Sequence, residues 1–352
     1  MLQWLSIETR TLHAELMERL TVREAQRNIG TLPGTFTTKH INGADYVYFL
    51  HNDPGGIRRN ICVGRQSPLI EQLKEQHKSG RREESEDPIG IRELSQQLKA
   101  GRVSTADHAL ARIIRELSDG GVFNAGGVLV GTQAFACIGN ILGVIWDKTT
   151  LGTQDIDIAA EKNVSVAVPN ITANIPKILE SLNMGFFPVP TLNRKHPSTS
   201  FSIRKSPVRV DMLTPMIRGN TEPVMISRFN AAAFPLRFLD YLIEDSIPGA
   251  VINGDAIAVR VPQPIRYALH KLIVSQERDV TSGAKKHKDL WQARQILEFY
   301  KSERPLDIQP AWDELVAHGA AWQKNASRGL WEMESKFGRL EVVLPTTCIP
   351  DL

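Results

Sequence analysis

The spacing of hydrophobic and polar residues near the N-terminus predicts one helix and then antiparallel strands. From about Ser6 to Asn28, leucines recur among charged residues at three- to four-residue spacing, which is typical of an amphipathic helix. The next stretch contains Asn42-Gly43 and the sequence DPGG at 53–56, and both favour tight turns. We therefore expect two or three antiparallel strands after the first helix.

A charged segment follows these strands. A helix is predicted around Pro68 to Gln76, and the run HKSGRREESEDP is then typical of a solvated linker with a domain boundary near Asp87. We interpret residues 1–87 as an accessory helix and β-hairpin module. Its aromatic residues and flanking arginines would suit an RNA-binding platform, but an ordinary small β-sheet core explains them better.

The middle of the chain alternates short apolar strands with helices, which predicts a mixed α/β core over 88–262. Val128 to Val130 form a short buried strand, and the following helix to Leu142 ends at Gly143. Further predicted strands cover 155–160, 164–168, 199–203 and 208–213, with a helix over 174–183.

The last part of the chain has a different pattern. Asn253-Gly254 predicts a second hairpin, and from Pro264 onward the apolar spacing is helical up to a proline-containing tail. We therefore assign 263–352 to a helical C-terminal domain.

Composition restricts the class of protein further. The chain has 352 residues, 23% charged residues and a formal net charge of +3, so bulk charge does not indicate a nucleic-acid partner. Three cysteines without a CxxC pair exclude a disulfide framework and fit a cytoplasmic protein. Neither a signal peptide nor a membrane-spanning stretch is predicted, so no membrane partner is expected.

The sequence GTQDIDIA carries the first chemical signal. Because side chains alternate across a strand, Asp155 and Asp157 share one face while Ile156 and Ile158 share the other. Two adjacent carboxylates repel each other unless a cation, hydrogen-bond donors or water faces them. A third acid, Asp211, lies in the apolar strand PVRVDMLTP, and three convergent carboxylates would suit Mg²⁺ and phosphoryl or nucleotidyl transfer. A salt bridge from Asp211 to Arg209 or Arg204 is the simpler alternative for that residue.

Basic and glycine-rich elements complement these acids. At Gly131-Thr132 a strand turns directly into a helix, which would present backbone N–H groups to an anion, although tight packing and helix capping also explain the pair. On the helix from Pro264, Lys271 and Arg278 share a face with Ser275. Lys288 and Asp289 begin the next helix, and Asp289 would orient Lys271, Arg278 or an acceptor.

LVGT, TQDIDIA and VRVDML together resemble the nucleotidyltransferase superfamily with the DNA polymerase β-like catalytic fold. Within it, the chain is similar to bacterial single-chain enzymes of the AbiEii-like (GSLT) type, whose HKL helix and KD segment match RYALHKLIVSQER and KKHKDLWQARQIL. The similarity spans about Gly126 to Leu297. Two features depart from the pattern: Thr132 replaces the usual Ser or Gly, and the interval from Gly131 to Asp155 is long.

This resemblance implies a two-metal enzyme that moves an NMP or dNMP from a nucleoside triphosphate such as ATP to a hydroxyl acceptor, with pyrophosphate release. Asp155, Asp157 and Asp211 would hold two Mg²⁺, with Mn²⁺ as the alternative, and Lys271 and the Gly131 turn would receive the pyrophosphate. The implied acceptors are a tRNA 3′ end, a protein hydroxyl or a nucleotide. Toxin–antitoxin or anti-phage function, with a partner encoded alongside, is implied by the resemblance alone.

Two other functions are compatible with the sequence. The fold could serve without catalysis as an RNA- or partner-binding module, although the presence of all three acids argues against this. A metal-dependent phosphohydrolase or nuclease would generally use more histidines or carboxylates near the metals. The sequence has no HExxH, GxSxG, GxGxxG or Walker A motif, which argues against a P-loop NTPase.

Overall fold

A computed structural model of the chain describes residues 2–25, 34–41, 43–52, 58–161, 173–191, 193 and 195–340. The strands are β1 (Gln3–Trp4), β2 (Gly34–Ile41), β3 (Ala44–Asn52), β4 (Arg58–Arg65), β5 (Val128–Val130), β6 (Val144–Ile145), β7 (Asp155–Ala159), β8 (Phe186–Pro188), β9 (Ser200–Ile203), β10 (Arg209–Pro215), β11 (Val224–Ile226), β12 (Ala231–Leu236), β13 (Ile247–Ile252) and β14 (Ala256–Val261). The helices are α1 (Ile7–Ala25), α2 (Pro68–Ala100), α3 (His108–Asp119), α4 (Gly131–Leu142), α5 (Ile175–Ser181), α6 (Leu239–Ile243), α7 (Pro264–Gln276), α8 (Gly283–Glu303), α9 (Ile308–Ala317) and α10 (Ala320–Phe337).

A mixed sheet forms the centre of the molecule. Its main path runs β11-β12-β10-β7-β5, and β9, which also pairs with β8, extends the first half of β10. Strands β7, β10 and β12 are parallel to one another, whereas β5, β9 and β11 pair antiparallel with their neighbours. The two predicted strands that carry the acids are therefore direct neighbours.

The alternation read from the sequence decides which face of this sheet is buried. Ile156, Ile158, Val210 and Met212 are fully buried in the main core, and the acids lie on the opposite face. Helix α4 returns from β5 and ends at Gly143, whose φ of 72° is the left-handed conformation that favours glycine there. The predicted strand over 164–168 lies outside the described residues.

The C-terminal helices pack on one another around α7. Gly329 of α10 lies directly against the backbone of α7, because a Cβ at this position would come within 2.7 Å of the Leu272 carbonyl carbon and still closer to its oxygen. This close approach fixes α10 against the helix that carries Lys271.

Replacing Gly329 by alanine should destabilise the protein by about 1–3 kcal/mol, although alanine favours helices, because the added methyl group separates α7 from α10. Urea unfolding would measure this change. Gly283→Ala is the matched control, since nothing lies within 4 Å of a Cβ at the start of α8. Equal effects of the two substitutions would contradict the close-packing argument.

The N-terminal module contains a three-stranded antiparallel sheet, β2-β3-β4, followed by α2. The predicted hairpin between β2 and β3 forms, with Ile41 paired to Ala44, while Asn42 and the DPGG segment lie outside the described residues. The prediction of a solvated linker at 77–88 is wrong, because α2 runs without interruption for 33 residues, from the small sheet into the core at Ile91 and Leu98. A domain boundary near Asp87 stays a prediction.

The predicted α/β class is confirmed: the chain has a mixed sheet with flanking helices, an N-terminal helix and hairpin module, and a helical C-terminal region. The Asn253-Gly254 hairpin also forms, between β13 and β14. Within the described residues, no helix combines the length and apolar character that crossing a membrane requires.

Candidate active site

The three predicted acids lie on the same face of two adjacent parallel strands. In the register of β7 and β10, Asp157 is directly opposite Asp211, and Asp155 is opposite Arg209. Residues that face each other across neighbouring strands have their side chains within a few ångströms of one another. The sheet therefore brings together the acids that are far apart in the sequence.

Gly131 makes room for the Asp157 carboxylate. It follows β5, opens α4 with a φ of 65°, and a Cβ at this position would lie 3.2 Å from Asp157 Cγ and closer still to Oδ2. No side chain caps the start of α4. A residue with any side chain at 131 would be strained in its backbone and would also collide with the acid.

The acids affect one another's ionisation. Burial, followed by the negative charges of Asp211 and Asp155, raises the pKa of Asp157 to about 6, although Lys271 and Arg209 oppose this effect. The surroundings of Asp157 therefore disfavour its negative charge.

Asp211 is held by two neighbours. Arg209 Nε donates to Asp211 Oδ1 at 2.6 Å, Ser200 Oγ donates to the same oxygen, and Arg209 Nη2 donates to Ser200 Oγ at 2.7 Å. The salt bridge to Arg209 considered from the sequence therefore exists. Within the described parts of the chain, no three His, Cys, Asp or Glu side chains are grouped so that they could hold a metal ion.

Two cations, Lys271 on α7 and Arg278, line the same cleft as Asp157. The prediction that Arg278 lies on the helix of Lys271 is wrong, because α7 ends at Gln276. Lys271 Nζ donates to Asp289 Oδ1 at 2.6 Å, and Arg278 Nε donates to Asp289 Oδ2 at 3.0 Å. Burial disfavours the ammonium charge of Lys271, but Asp289 and the other neighbours outweigh it, so the net effect raises the pKa of Lys271. Asp289, only 5% exposed, therefore holds both cations in position and keeps Lys271 charged.

A cleft of about 500 Å³ lies between the sheet and α7. The cleft is lined by Gly131, Asp157, Lys271 and Arg278, together with apolar side chains from β10, β12 and α7. A carboxylate, a helix start and two cations thus face one space, which is the combination that a metal-bound phosphate ester requires.

A family model described as nucleotidyltransferase matches residues 108–317, which is more than half of the chain and includes every predicted site residue. The chain belongs to this nucleotidyltransferase family. Both the acids of β7 and β10 and the cations Lys271 and Arg278 lie inside the matched region.

Among solved structures, this nucleotidyltransferase is similar to an antigenic nucleotidyltransferase-like protein from Paracoccidioides brasiliensis, at 13% identity over 64% of this chain and 94% of that chain. The TM-score is 0.33, which is too low to support an argument about the fold or the site. No curated protein matches the chain significantly.

Five of the predicted site residues of the nucleotidyltransferase lie outside the lining of the cleft: Asp155, Asp211, Thr132, Lys288 and Asp289. Thr132 is half-buried in the first turn of α4, and the N-cap position is taken by Val130. Lys288 Nζ donates to the carbonyl of Gly152 at 3.0 Å, so it anchors the loop before β7. Lys288 and Asp289 lie in the second turn of α8, which begins at Gly283, and not at its start as predicted.

Sequence reasoning missed the residue that joins the two walls of the cleft. Tyr267 is buried in α7, and its hydroxyl donates to the Gly131 carbonyl at 2.9 Å and lies 3.1 Å from Gln292 Oε1. It therefore connects the start of α4 to α7 and α8. Its position one turn before Lys271 was the available signal, since residues four apart share a helix face.

Two further cleft residues, His270 and Phe234, were not predicted as site residues. His270 is 8% exposed and lines the cleft, and its Nε2 has no hydrogen-bond partner among the residues that the structure describes. Burial and then Lys271 lower the pKa of His270 to about 3, so the ring is neutral. The second cleft residue, Phe234, belongs to β12, a strand that was not predicted.

Ser275 was predicted on the face of Lys271. It is instead buried, and its hydroxyl donates to the carbonyl of Leu272.

Proposed function

We propose that this protein transfers a nucleoside monophosphate from a nucleoside triphosphate to a hydroxyl acceptor and releases pyrophosphate. One observation carries the proposal: Asp157, in register with Asp211, shares a cleft with Lys271 and Arg278. Asp157 on one wall and the fixed cations Lys271 and Arg278 on the other suit a substrate that is a metal-bound polyphosphate.

The acids fit a hard divalent cation by their chemistry. All three donors are carboxylates, the ligands that Mg²⁺ prefers, and the raised pKa of Asp157 reflects its burial and then the charges of Asp211 and Asp155, which a cation would neutralise. The three carboxylates are not grouped closely enough to hold a metal ion by themselves, so we propose that Asp155, Asp157 and Asp211 hold two Mg²⁺ together with the phosphates of the substrate. When bound, Mg²⁺ would neutralise these carboxylates and lower the charge barrier to attack on the phosphate.

The remaining residues position and stabilise the substrate. The acceptor oxygen forms a bond to the α-phosphorus, the bond to the bridging oxygen of the β-phosphate breaks, and the hydroxyl proton leaves to solvent. Lys271 and Arg278 would stabilise the negative charge that develops on pyrophosphate. Asp289 would act as a positioning residue, because it holds both cations without lining the cleft. The Gly131 turn would offer backbone N–H groups to the phosphates.

The test is a transfer assay with each α-³²P-labelled NTP and dNTP, Mg²⁺ or Mn²⁺, and total cellular RNA either included or omitted. Label should appear on RNA, on protein or in a new small product. The combination Asp155→Asn with Asp157→Asn should lower the rate about 10³-fold or more. Asp313→Asn, an exposed acid on α9, is the matched control and should retain full activity.

The Arg209–Asp211 salt bridge favours one alternative, a non-catalytic module that retains the fold. If the protein binds nucleotide or RNA but transfers no label under any of these conditions, this alternative replaces the enzyme proposal. Release of labelled monophosphate to water alone would instead indicate a hydrolase.

A further inference from the structure

Strand β12 contributes apolar side chains to the cleft, and the carboxylate chemistry does not explain them. The polar residues Thr221, Arg237 and Glu277 also line this cleft. Phe234 and Leu236 of β12 are 45% and 36% exposed, whereas Ala231, Ala232 and Ala233 before them are buried. Both exposed side chains line the cleft, together with Met216. Single exposed apolar residues are common on protein surfaces, but these share one concave site with Asp157 and Lys271.

The register of the strands places this apolar wall on the same face as the acids. Asp211 and Leu213 lie on one side of β10, and Leu213 is directly opposite Phe234. The path from Asp157 to Phe234 therefore crosses from β7 over β10 to β12 and moves two residues along the strand direction. With strands about 4.8 Å apart and a rise of about 3.3 Å per residue, the two Cα atoms are separated by about 12 Å.

That separation is about the length of one nucleotide. A phosphate held near Asp157, Lys271 and Arg278 would leave the rest of the molecule lying over β12. The face of a nucleobase is flat and apolar, so it can stack on an aromatic ring, whereas a bare polyphosphate has no group for this wall.

We infer that β12 forms the base-binding subsite of this cleft, with Phe234 as the ring on which the nucleobase of the substrate packs. The inference rests on the proposed function, because the nucleotide must lie with its phosphates between the acids and α7. In this arrangement the cations bind the phosphates, and Phe234 distinguishes a nucleotide from inorganic polyphosphate.

Equilibrium binding can test this separately from catalysis. Isothermal titration calorimetry with Mg²⁺ would compare α,β-methylene-ATP, which lacks the bond broken in transfer, with inorganic tripolyphosphate. The wild-type protein should bind the nucleotide roughly 10-fold or more tighter, the effect expected of one base–aromatic contact. Phe234→Ala should remove this preference and leave tripolyphosphate binding unchanged, while Phe234→Trp should retain it.

Two further variants make the result specific. Met225→Ala on β11 removes another exposed apolar side chain, 51% exposed and outside the cleft lining, and should bind both ligands like wild type. Arg278→Met should weaken both ligands, because it acts on the phosphates that they share.

The possible failures are distinguishable from those of the proposed function. Equal wild-type affinity for the two ligands, no effect of Phe234→Ala, or equal weakening of both ligands would overturn the base subsite even if label transfer occurs. If Phe234→Ala loses the preference for the nucleotide but the wild-type protein transfers no label, the base subsite is supported and the proposed transferase activity is rejected. Failure of the wild type to bind either ligand would overturn both.

Discussion

Asp157→Asn should abolish nucleotidyl transfer and at the same time make the metal-free protein more stable at pH 8. The pKa of Asp157 is about 6 in the folded protein and 3.8 in an ordinary aspartate. Folding therefore costs free energy whenever this carboxylate must be ionised, and the difference of about two pKa units corresponds to roughly 2–3 kcal/mol. Asparagine has a similar size and removes this cost together with the charge.

The sign of the pH dependence follows from the same pKa values. Above pH 6 the group is ionised in both states and the cost is complete. As the pH falls from 6 towards 3.8, the folded state takes up a proton before the unfolded state, so the wild type approaches the variant in stability. Urea unfolding in EDTA at pH 8 and pH 4 would measure this convergence.

Asp313→Asn again serves as the control and should have little effect at either pH, because its carboxylate is exposed. If Asp157→Asn were destabilising at pH 8, or shifted stability equally at both pH values, the acids would not repel one another as described. Gain of stability with loss of activity is the behaviour expected of a functional site that stores unfavourable electrostatic energy.

Gly131→Ala should have the second largest effect, both on folding and on transfer. The substitution imposes a left-handed backbone on alanine and pushes its methyl group into the Asp157 carboxylate. We expect a loss of about 3 kcal/mol in the free energy of unfolding, made up of about 1 for the backbone and the rest for the collision. Transfer should fall at least about 100-fold, because Asp157 is displaced from its position.

A matched glycine separates the two contributions. Gly254 has a φ of 62° and nothing within 4 Å of a Cβ, so Gly254→Ala measures the backbone cost alone. Combining Gly131→Ala with Asp157→Ala removes the collision, so the double variant should be more stable than the sum of the single effects predicts. Strict additivity would show that Gly131 does not accommodate the acid.

Local patterns predicted the acids well. The alternation in GTQDIDIA and PVRVDML places Asp155, Asp157 and Asp211 on the exposed sides of their strands, because a side chain's face depends only on its position in the strand. Pairing of β7 with β10 depends on contacts between distant segments, so no local pattern specifies it. In the structure the two strands pair in a parallel register that places Asp157 opposite Asp211.

Other parts could not be read from the sequence for definite reasons. The segment AAAFPL lacks the β-branched alternation of a strand, so β12 and the role of Phe234 were not predicted. The charged run at 77–88 lacks apolar spacing, yet the backbone is helical because α2 continues from the small sheet into the core. The burial of Asp289 against Lys271 and Arg278 depends on how α7 and α8 pack, which no local pattern specifies.

The pairing of acids and cations around the cleft has a consequence for how the substrate arrives. In the metal-free protein, the charged side chains around the cleft balance in number: Asp155, Asp157, Asp211, Glu277 and Asp289 against Arg209, Arg237, Lys271, Arg278 and Lys288. A neutral site exerts little long-range attraction on a polyanion, and electrostatic steering should not accelerate encounter. Discrimination then takes place after contact, through the fixed positions of individual charges, and the rate of association should be nearly insensitive to ionic strength.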